Sequence, residues 1–401
     1  MGGFIRRSHI VPLVGLVAVF LPVLGSTASA VAANGLIAPR VGTQLAELNG
    51  SGIVADDGFG VSVAISGTTA VVGVPGFAKD AGRADIFTKT GELWTQAAQL
   101  KGSDTVSGDD FGYTVAIAGS NALVDAPGHG KDAGRAYVFA KTAAGWSQVA
   151  ELKGSDTAAG SYFGYTSAMS GTTALVDAPG YAKEAGRAYV FTKTATGWEQ
   201  AAELKGSDTR AGDTFGGSAA ISGTTAIVDA PDHAKDAGRA YVFTETASRW
   251  KQVAELKGSD TGAKDGFGVS VAISGTTAIA GSPNHAKDAG RAYVFTKTAT
   301  GWKQVAELKG SDTGANNGFG VSVSISGTTA IAGAPGYGKD AGRAYLFRDL
   351  VPGWRQTAEL KGSDTVAGDY FGYSVQISGP TVITGADGHA KNAGRAYLFA
   401  A

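Results

Sequence analysis

The sequence predicts an all-β fold: a seven-bladed β-propeller of four-stranded antiparallel blades, closed by an N-terminal strand that completes blade 7. Two repeated motifs carry this prediction. The dipeptide Phe-Gly recurs every 52 residues, and the tripeptide Ala-Gly-Arg recurs in phase with it. Seven in-phase copies of a short β-rich unit are typical of a propeller. The two sets are Phe59, Phe111, Phe163, Phe215, Phe267, Phe319, Phe371 and Arg83, Arg135, Arg187, Arg239, Arg291, Arg343, Arg395.

One repeat divides into four predicted strands. In the second repeat we expect them at residues 111–117, 122–126, 135–141 and 146–153. The segments between them are rich in Gly and polar residues, which is the composition of turns. The inner strands are apolar on both faces, as strands packed between neighbouring sheets must be, and the fourth alternates.

The two ends of the chain are complementary. The last repeat stops at Tyr397-Leu398-Phe399, after its third strand. Near the other end, residues 44–48 read Gln-Leu-Ala-Glu-Leu and match the fourth strand of the other repeats. A linear solenoid would instead need atypical capping repeats. We therefore expect the N-terminal strand to close the ring.

Residues 1–30 have the features of a secretory signal peptide. Arg6 and Arg7 precede an apolar stretch at residues 10–24, and Ala28-Ser29-Ala30 forms a small-residue cleavage site. The apolar stretch is shorter than the ~20 residues that a membrane-spanning helix needs. We expect a secreted, extracellular protein with one domain at residues 31–401. The general secretory route is favoured, and twin-arginine export stays open.

Charge and composition exclude several kinds of partner. The formal net charge is −1, and removal of Arg6 and Arg7 with the leader leaves 32 basic and 35 acidic residues. Without a basic field, we expect no nucleic-acid partner and no membrane insertion. The absence of cysteine excludes disulfides and thiolate metal sites. We expect a monomer without a cofactor.

The repeat resembles the FG-GAP repeat of integrin α-chain propellers. Phe319-Gly320 followed by Gly333-Ala334-Pro335 matches both halves of that name. The resemblance implies cell-surface adhesion or protein binding on the face that carries the Gly-Ala-Pro loops. It also implies calcium in an Asp-rich loop between the first two strands. Here that loop reads Ser-Gly-Thr-Thr at residues 66–69, so we expect no metal, because calcium needs several carboxylate oxygens.

The residues repeated in all seven copies are predicted to build the scaffold. Each Phe-Gly pair is interpreted as a buried ring beside a backbone position that needs a bare Cα. The arginine of Ala-Gly-Arg is expected to pair with a loop acid such as Asp80 or Asp132.

A variable aromatic or histidine position is the first candidate ligand site. It lies two residues after the Gly-Ala-Pro proline, and in a closed propeller it forms a ring on one face. Planar side chains on a rim suit contacts with protein or sugar. The alternative is that each ring packs within the scaffold. The residues are Phe77, His129, Tyr181, His233, His285, Tyr337 and His389.

Three aspartates form the second candidate site. Asp125, Asp177 and Asp229 replace the first glycine of Gly-Ala-Pro in repeats two, three and four only. They could bind a cation or a basic group of a partner. The alternative is that each carboxylate accepts backbone N–H groups of the following loop.

The function predicted from these features is a binding scaffold for a protein or carbohydrate ligand. One alternative is a propeller hydrolase or lyase that acts on extracellular polysaccharide, for which the three aspartates are the one asymmetric set of carboxylates that the sequence offers. Another is a passive surface or matrix protein. No catalytic motif supports an enzyme: the phosphate-loop-like stretch ending at Gly338-Lys339 continues with Asp340 where Ser or Thr is required.

Overall fold

The computed structural model describes residues 38–247 and 249–401. In this part of the chain, strands form seven separate four-stranded antiparallel sheets, which confirms the seven-bladed propeller. The predicted signal peptide lies outside the described residues. Blades are numbered 1 to 7 in the order of the repeats.

Blades 1 to 6 use their strands in sequence order from the centre outward, whereas blade 7 takes its outermost strand from the N-terminal side of the chain. The first strands are β2 (Val63–Ser66), β6 (Val115–Ala118), β10 (Ser167–Ser170), β14 (Ala219–Ser222), β18 (Val271–Ser274), β22 (Val323–Ser326) and β26 (Val375–Ser378). The second strands are β3 (Thr69–Val74), β7 (Asn121–Ala126), β11 (Thr173–Ala178), β15 (Thr225–Ala230), β19 (Thr277–Ser282), β23 (Thr329–Ala334) and β27 (Thr381–Ala386).

The third and fourth strands form the outer half of each blade. The third strands are β4 (Arg83–Thr90), β8 (Arg135–Thr142), β12 (Arg187–Lys193), β16 (Arg239–Thr246), β20 (Arg291–Thr298), β24 (Arg343–Asp349) and β28 (Arg395–Ala400). The fourth strands are β5 (Leu93–Leu100), β9 (Gly145–Leu152), β13 (Trp198–Leu204), β17 (Arg249–Leu256), β21 (Gly301–Leu308), β25 (Trp354–Leu360) and, for blade 7, β1 (Gln44–Leu48).

The first strands surround the central axis. Each contacts the first strand of the next blade, and β26 returns to contact β2, so the ring is closed. The second strands are buried on both faces, whereas the fourth strands alternate between half-buried and exposed residues. This is the burial expected for blades that pack face to face and leave their outer edge in solvent.

Strand β1 completes blade 7, as the sequence predicts. It pairs antiparallel with β28, and Gln44 lies opposite Phe399 while Leu48 lies opposite Ala396. The closing strand therefore comes from one end of the chain and the other three strands of the blade come from the opposite end.

The Phe-Gly pairs lie between blades, as predicted. Phe111 is fully buried, with its ring centroid 5.4 Å from that of Tyr137 and 6.1 Å from that of Phe139. Gly112 has φ 93°, and a Cβ built there would lie 2.2 Å from the carbonyl oxygen of Arg83 in blade 1. Only glycine satisfies both conditions.

The first strand is shorter than predicted in the second repeat. The sequence suggests a strand from residue 111, whereas β6 begins at Val115. The positive φ of Gly112 interrupts the extended backbone, and Phe111 instead forms a parallel bridge with Gly82 of the preceding blade. The backbone of this segment therefore joins two blades.

Each loop between the second and third strands contains a left-handed turn. In blade 1, Ala78, Lys79 and Asp80 have φ values of 53°, 61° and 62°. A non-glycine residue pays about 1–2 kcal/mol for this conformation. The helical segments that contain these turns are Phe77–Asp80, His129–Asp132, Tyr181–Glu184, His233–Asp236, His285–Asp288, Tyr337–Asp340 and His389–Asn392.

Backbone hydrogen bonds to the next blade offset this cost. The carbonyl oxygen of Lys79 accepts from the N–H of Gly108 at 3.2 Å, and that of Asp80 accepts from the N–H of Asp110 at 2.7 Å. Equivalent pairs occur at every blade interface, including the closing one, where Lys391 and Asn392 accept from Asp56 and Gly58. The left-handed turns therefore dock each blade onto its neighbour.

Candidate functional site

The seven predicted ring residues lie together on one face, at the start of the helical segments between second and third strands. All seven are half-buried. The structure thus places them as a ring, as the repeat spacing indicates. Their side chains, however, make contacts within the scaffold.

The four histidines each lie between two aspartates. Nδ1 of His129 is 2.9 Å from Oδ2 of Asp109, and Nε2 is 3.7 Å from Oδ2 of Asp104. The four histidine side chains are only 12–17% exposed. The same arrangement joins His233 to Asp213 and Asp208, His285 to Asp265 and Asp260, and His389 to Asp369 and Asp364.

The other three ring residues lie under arginine. The Tyr181 hydroxyl donates to Oδ2 of Asp156 at 2.6 Å, and the Tyr337 hydroxyl donates to Asp312 at 2.7 Å. Guanidinium groups lie 4.3–4.7 Å from the centroids of the three rings, in the pairs Arg83–Phe77, Arg187–Tyr181 and Arg343–Tyr337. These are cation–π distances.

In six of the seven blades the identity of the ring residue follows its partner in the preceding loop; Phe77 is the exception, because Asp57 also lies twenty residues before it. Each histidine occurs with an aspartate twenty residues earlier, as in His129 and Asp109, whereas Ser161 precedes Tyr181 and Asn317 precedes Tyr337. A histidine at this position can donate to the aspartate twenty residues earlier. A tyrosine is longer, and its hydroxyl reaches the aspartate twenty-five residues earlier, as Tyr181 reaches Asp156. This pattern favours a structural role, and ligand binding by the ring stays a prediction.

The predicted partner of the repeat arginine is wrong. Arg135 does not pair with Asp132. Its Nε instead donates to Oε1 of Glu151, on the adjacent fourth strand, at 2.7 Å. The expected loop acids Asp80 and Asp132 belong to the left-handed turns, where their carbonyl groups bind the next blade. The geometry of the turn, which the sequence did not reveal, decides this pairing.

Asp125, Asp177 and Asp229 are completely buried between blades. Each lies against the Phe-Gly glycine of the next blade: a Cβ built at Gly164 would lie 3.0 Å from Cβ of Asp125, and one at Gly216 would lie 2.9 Å from Cβ of Asp177. The three carboxylates are therefore on adjacent interfaces, as predicted, but a ligand in solvent does not reach them.

Each of these carboxyl groups has one hydrogen-bond donor. Asp125 accepts from the Ser167 hydroxyl, and Asp177 accepts from the Thr166 hydroxyl at 2.7 Å. Asp229 accepts from the backbone N–H of Ser218 at 2.6 Å, not from the loop that follows it. The second oxygen of each carboxyl group has no partner within the described residues.

Burial raises the pKa of all three aspartates well above the ordinary value, although their hydrogen bonds oppose the shift. An ionised carboxylate without a cationic partner is costly in such a site. The raised pKa favours the protonated, neutral form of all three groups, which does not favour binding of a cation.

A cavity of about 880 Å³ opens at the central axis on the other face of the propeller. Turns between first and second strands of blades 3 to 6 form its wall. Glu245 is its one charged lining residue in the described part of the chain. The remaining lining residues are Ser170, Gly171, Thr172, Thr173, Ser222, Gly223, Thr224, Ser274, Gly275, Thr276, Thr277 and Gly327.

The serines and threonines of this wall have different roles. The Ser170 hydroxyl accepts from the N–H of Gly223 in the next blade at 2.9 Å, and Ser222 accepts likewise from Gly275 at 3.0 Å. Thr224 and Thr276 are exposed at the rim. The serines therefore hold the blades together, and the threonines present their side chains to solvent.

Tyrosines of blades 2, 3 and 7 approach one another on the side of the Phe-Gly pairs. Tyr113, Tyr165 and Tyr373 each follow a Phe-Gly pair, and the ring centroids of the first two are 5.5 Å apart. Burial raises the pKa of Tyr113 and Tyr373 well above the ordinary value, and Tyr165 adds to the shift of both.

This cavity was missed in the sequence. The Ser-Gly-Thr-Thr motif was interpreted only as a short loop without calcium ligands, although its recurrence around the ring was a usable signal. Within the described residues, no three His, Asp or Glu side chains are grouped as metal ligands would be. None of the helical segments described has the length and apolar character of a membrane-spanning helix.

Comparison with known structures supports the fold. A chain from the crystal structure of a mitotic checkpoint complex superimposes with a TM-score of 0.56 at 12% identity, covering 93% of this chain and 99% of that one. At this identity the likeness concerns the fold alone. Comparison with curated proteins gave no match.

Comparison with family models matches every blade. The model described as FG-GAP repeat matches residues 43–87, 94–139, 146–191, 198–243, 250–295, 302–347 and 354–399. These segments comprise most of the described chain and follow the spacing of the Phe-Gly pairs. The chain therefore belongs to the FG-GAP repeat family.

Proposed function

We propose that this propeller is an exported binding scaffold for a polar, uncharged ligand, of which a glycan is the first candidate. The ligand binds at the mouth of the propeller, which is the opening at the central axis between the turns that contain Thr172, Thr224 and Thr276. The observation that carries the proposal is the cavity of about 880 Å³ between the turns of blades 3 to 6. Ligand pockets in proteins usually measure about 300–1,000 Å³. Residues 1–30 would direct export.

The chemistry of the wall suits hydroxyl groups. Each threonine hydroxyl both donates and accepts hydrogen bonds, as do the hydroxyls of a sugar. Thr172, Thr224 and Thr276 occupy the same position in three successive blades, so the wall presents hydroxyls at a regular spacing. With Glu245 as the one charged group of this lining, a strongly charged ligand has little to pair with.

The proposed role is not catalytic. A polysaccharide hydrolase needs two carboxyl groups that flank the scissile bond. Asp125, Asp177 and Asp229, the asymmetric carboxylates that could serve, are completely buried. The ring of histidine and aromatic residues is on the opposite face, and its side chains already contact neighbouring aspartates and arginines of the scaffold. The mouth is therefore the better candidate for a binding surface.

A glycan array, together with a panel of extracellular proteins, tests the function. We expect the protein without residues 1–30 to bind at least one neutral glycan. Thr224→Trp and Thr276→Trp should weaken that binding at least tenfold, because the indoles occupy the cavity. Thr68→Trp is the matched control, since it lies at the same turn position in blade 1, outside the cavity wall.

Equal loss of affinity in the Thr68 variant would place the ligand elsewhere. Release of sugar products from a bound glycan would contradict the non-catalytic proposal. Binding of proteins alone, with no response to the Thr224 and Thr276 variants, would contradict both the ligand class and the site.

A further inference from the structure

Blade 1 departs from the other blades at positions that meet around one arginine. Asp85 stands where the other six repeats have tyrosine, as at Tyr137. Gln99 stands where they have glutamate, as at Glu151. Phe77 is the one ring residue that is neither histidine nor tyrosine. All three contact or flank Arg83.

In most blades the equivalent arginine binds a glutamate. Its Nε lies 2.6–3.1 Å from a glutamate oxygen in the pairs Arg135–Glu151, Arg239–Glu255, Arg291–Glu307, Arg343–Glu359 and Arg395–Glu47. The carboxylate lies on the neighbouring fourth strand. A charge-assisted bond of this kind is about twice as strong as a neutral one.

Blade 1 lacks this carboxylate. Gln99 turns away and donates to the Ser51 hydroxyl at 3.1 Å. Arg83 turns inward, and its Nη2 donates to Asp85 at 3.0 Å and to the Ser51 carbonyl at 2.6 Å. Its side chain is only 7% exposed, and its Nε has no partner within the described residues. The structure thus leaves the buried Nε–H of Arg83 without a partner, whereas a glutamate carboxylate lies beside the equivalent N–H in five other blades.

Blade 3 shows that the unpaired Nε alone does not make a site. Nε of Arg187 is also without a hydrogen-bond partner in the described residues, and so is Nε of Arg395 in blade 7, although an oxygen of Glu47 lies 3.1 Å from it. In blade 3, however, Glu203 is present on the neighbouring strand and accepts from the Ser155 hydroxyl at 2.8 Å. A rotation of Glu203 can supply the carboxylate from within the blade. Gln99 has no such group to offer.

A cavity of about 290 Å³ lies beside Arg83. Phe77, Gln99, Leu100 and Lys101 line it together with Arg83 and small residues of the loop. Two of the lining side chains are cationic, and none is acidic. The aromatic ring of Phe77, 4.3 Å from the guanidinium carbon, forms an apolar wall. Such a cavity suits an anionic group on a body no larger than a monosaccharide.

We propose that this cavity binds a carboxylate group of a small ligand, which takes the place of the missing glutamate at Arg83 and pairs also with Lys101. The site is distinct from the cavity on the axis, because it lies at the loop between second and third strands, on the opposite face. Two sources supply this chemistry: a uronic acid residue of a glycan and an acidic side chain of a peptide.

Titration followed by NMR tests the proposal. The probes are glucuronate and N-acetylglutamate, with glucose and N-acetylglutamine as their neutral counterparts. The signal is the Nε–H resonance of Arg83 in the ¹⁵N-labelled protein, assigned with Arg83→Lys. We expect a saturable shift with at least one carboxylate and none with its neutral counterpart. The carboxylate that gives the shift identifies the source.

The substitution Gln99→Glu provides the sharpest comparison. Glutamate is the residue of the other repeats at this position, so the variant should fold and melt no lower than the parent. It supplies the missing carboxylate from within the chain, and the affinity for the added carboxylate should fall at least tenfold. Lys101→Gln, at an exposed position, should weaken the same binding while leaving the fold unchanged.

Three results would overturn the proposal. One is the lack of a saturable shift with both carboxylates, and another is an equal shift with the neutral compounds. The third is unchanged carboxylate affinity in Gln99→Glu, or in Lys101→Gln if the first variant does not fold.

Discussion

The backbone N–H of Phe59 donates to the carbonyl oxygen of Ala393 at 3.0 Å. These residues belong to the first and the last repeat, so the bond crosses the seam at which the ring closes. Equivalent bonds join Phe111 to Ala81 and Phe267 to Ala237 within the ring. The seam is thus built like other interfaces, but blade 7 also depends on a strand from the N-terminal side.

Deletion of residues 41–49 should open this seam. The deletion removes β1, so β28 loses its partner and becomes an unpaired edge strand, which favours aggregation. We expect a large fall in melting temperature and a loss of monodispersity in size-exclusion chromatography. A deletion variant that melts and elutes like the parent would show that β1 does not close the ring.

Glycine in the left-handed turns should stabilise the propeller. Ala182 and Ala234 have φ values of 52° and 56°, whereas Gly130 and Gly338 already occupy the same position in blades 2 and 6. Each of Ala182→Gly and Ala234→Gly should raise the free energy of unfolding by up to ~1 kcal/mol, because glycine adopts this conformation without strain.

The reverse substitution is the control for this effect. A Cβ at Gly130 would meet no atom closer than 3.8 Å, so Gly130→Ala tests the backbone alone. It should lower the free energy of unfolding by about 1 kcal/mol in a denaturant titration. A lower free energy of unfolding for Ala182→Gly, or a higher one for Gly130→Ala, would show that the turns are not left-handed in solution.

The buried aspartates should make the folded state less stable as the pH rises. Their pKa is raised in the folded protein, so the folded state holds protons that the unfolded state releases above its pKa of about 4. Each group then lowers stability by up to about 1.4 kcal/mol per pH unit until the folded pKa is reached.

The triple variant Asp125→Asn, Asp177→Asn, Asp229→Asn isolates this contribution. Asparagine keeps a hydrogen-bond acceptor but cannot ionise. Burial also raises the pKa of Asp85 to about 6 and that of Asp387 to about 7, and both groups remain in the variant as a common background. The melting temperature of the variant relative to the parent should be higher at pH 8 than at pH 5. A difference that does not change with pH would mean that the three groups are ionised when folded.

The ring tyrosines should matter for stability rather than for ligand binding. Tyr181 binds Asp156, and Arg187 lies over its ring. The double variant Tyr181→Ala, Tyr337→Ala should lose about 1–3 kcal/mol of stability through these contacts. Its affinity for a mouth ligand, expressed per folded molecule, should be unchanged. Weaker binding by a double variant that is as stable as the parent would indicate that the ligand binds at the ring.

The sequence was sufficient to predict the blades because the motifs that mark them are local and recur in every repeat. Phe111, Gly112 and Arg135 recur in phase, and the match of residues 44–48 to other fourth strands identified the closing strand. The length of β6 was overestimated because apolar residues before Val115 look like strand. In the structure their backbone is bent at Gly112 toward the preceding blade.

The contacts of the candidate site could be predicted only in part. The spacing places His129 and Tyr181 on one ring, but their partners Asp109 and Asp156 lie in loops whose course depends on the left-handed turns. The burial of Asp125 depends on how closely Gly164 of the next blade approaches it. Such distances between blades are not encoded in the period of one repeat.

Hydrogen–deuterium exchange of the complex with a glycan identified on the array tests the proposed function most directly. Binding at the mouth should slow exchange in the turns at residues 170–173, 222–225 and 274–277, which line the cavity. The turn at residues 66–69 of blade 1 and the helical segments on the opposite face should be unaffected. Slowed exchange confined to the segments that contain His129, Tyr181 and His233 would contradict binding at the mouth and would place the ligand on the ring.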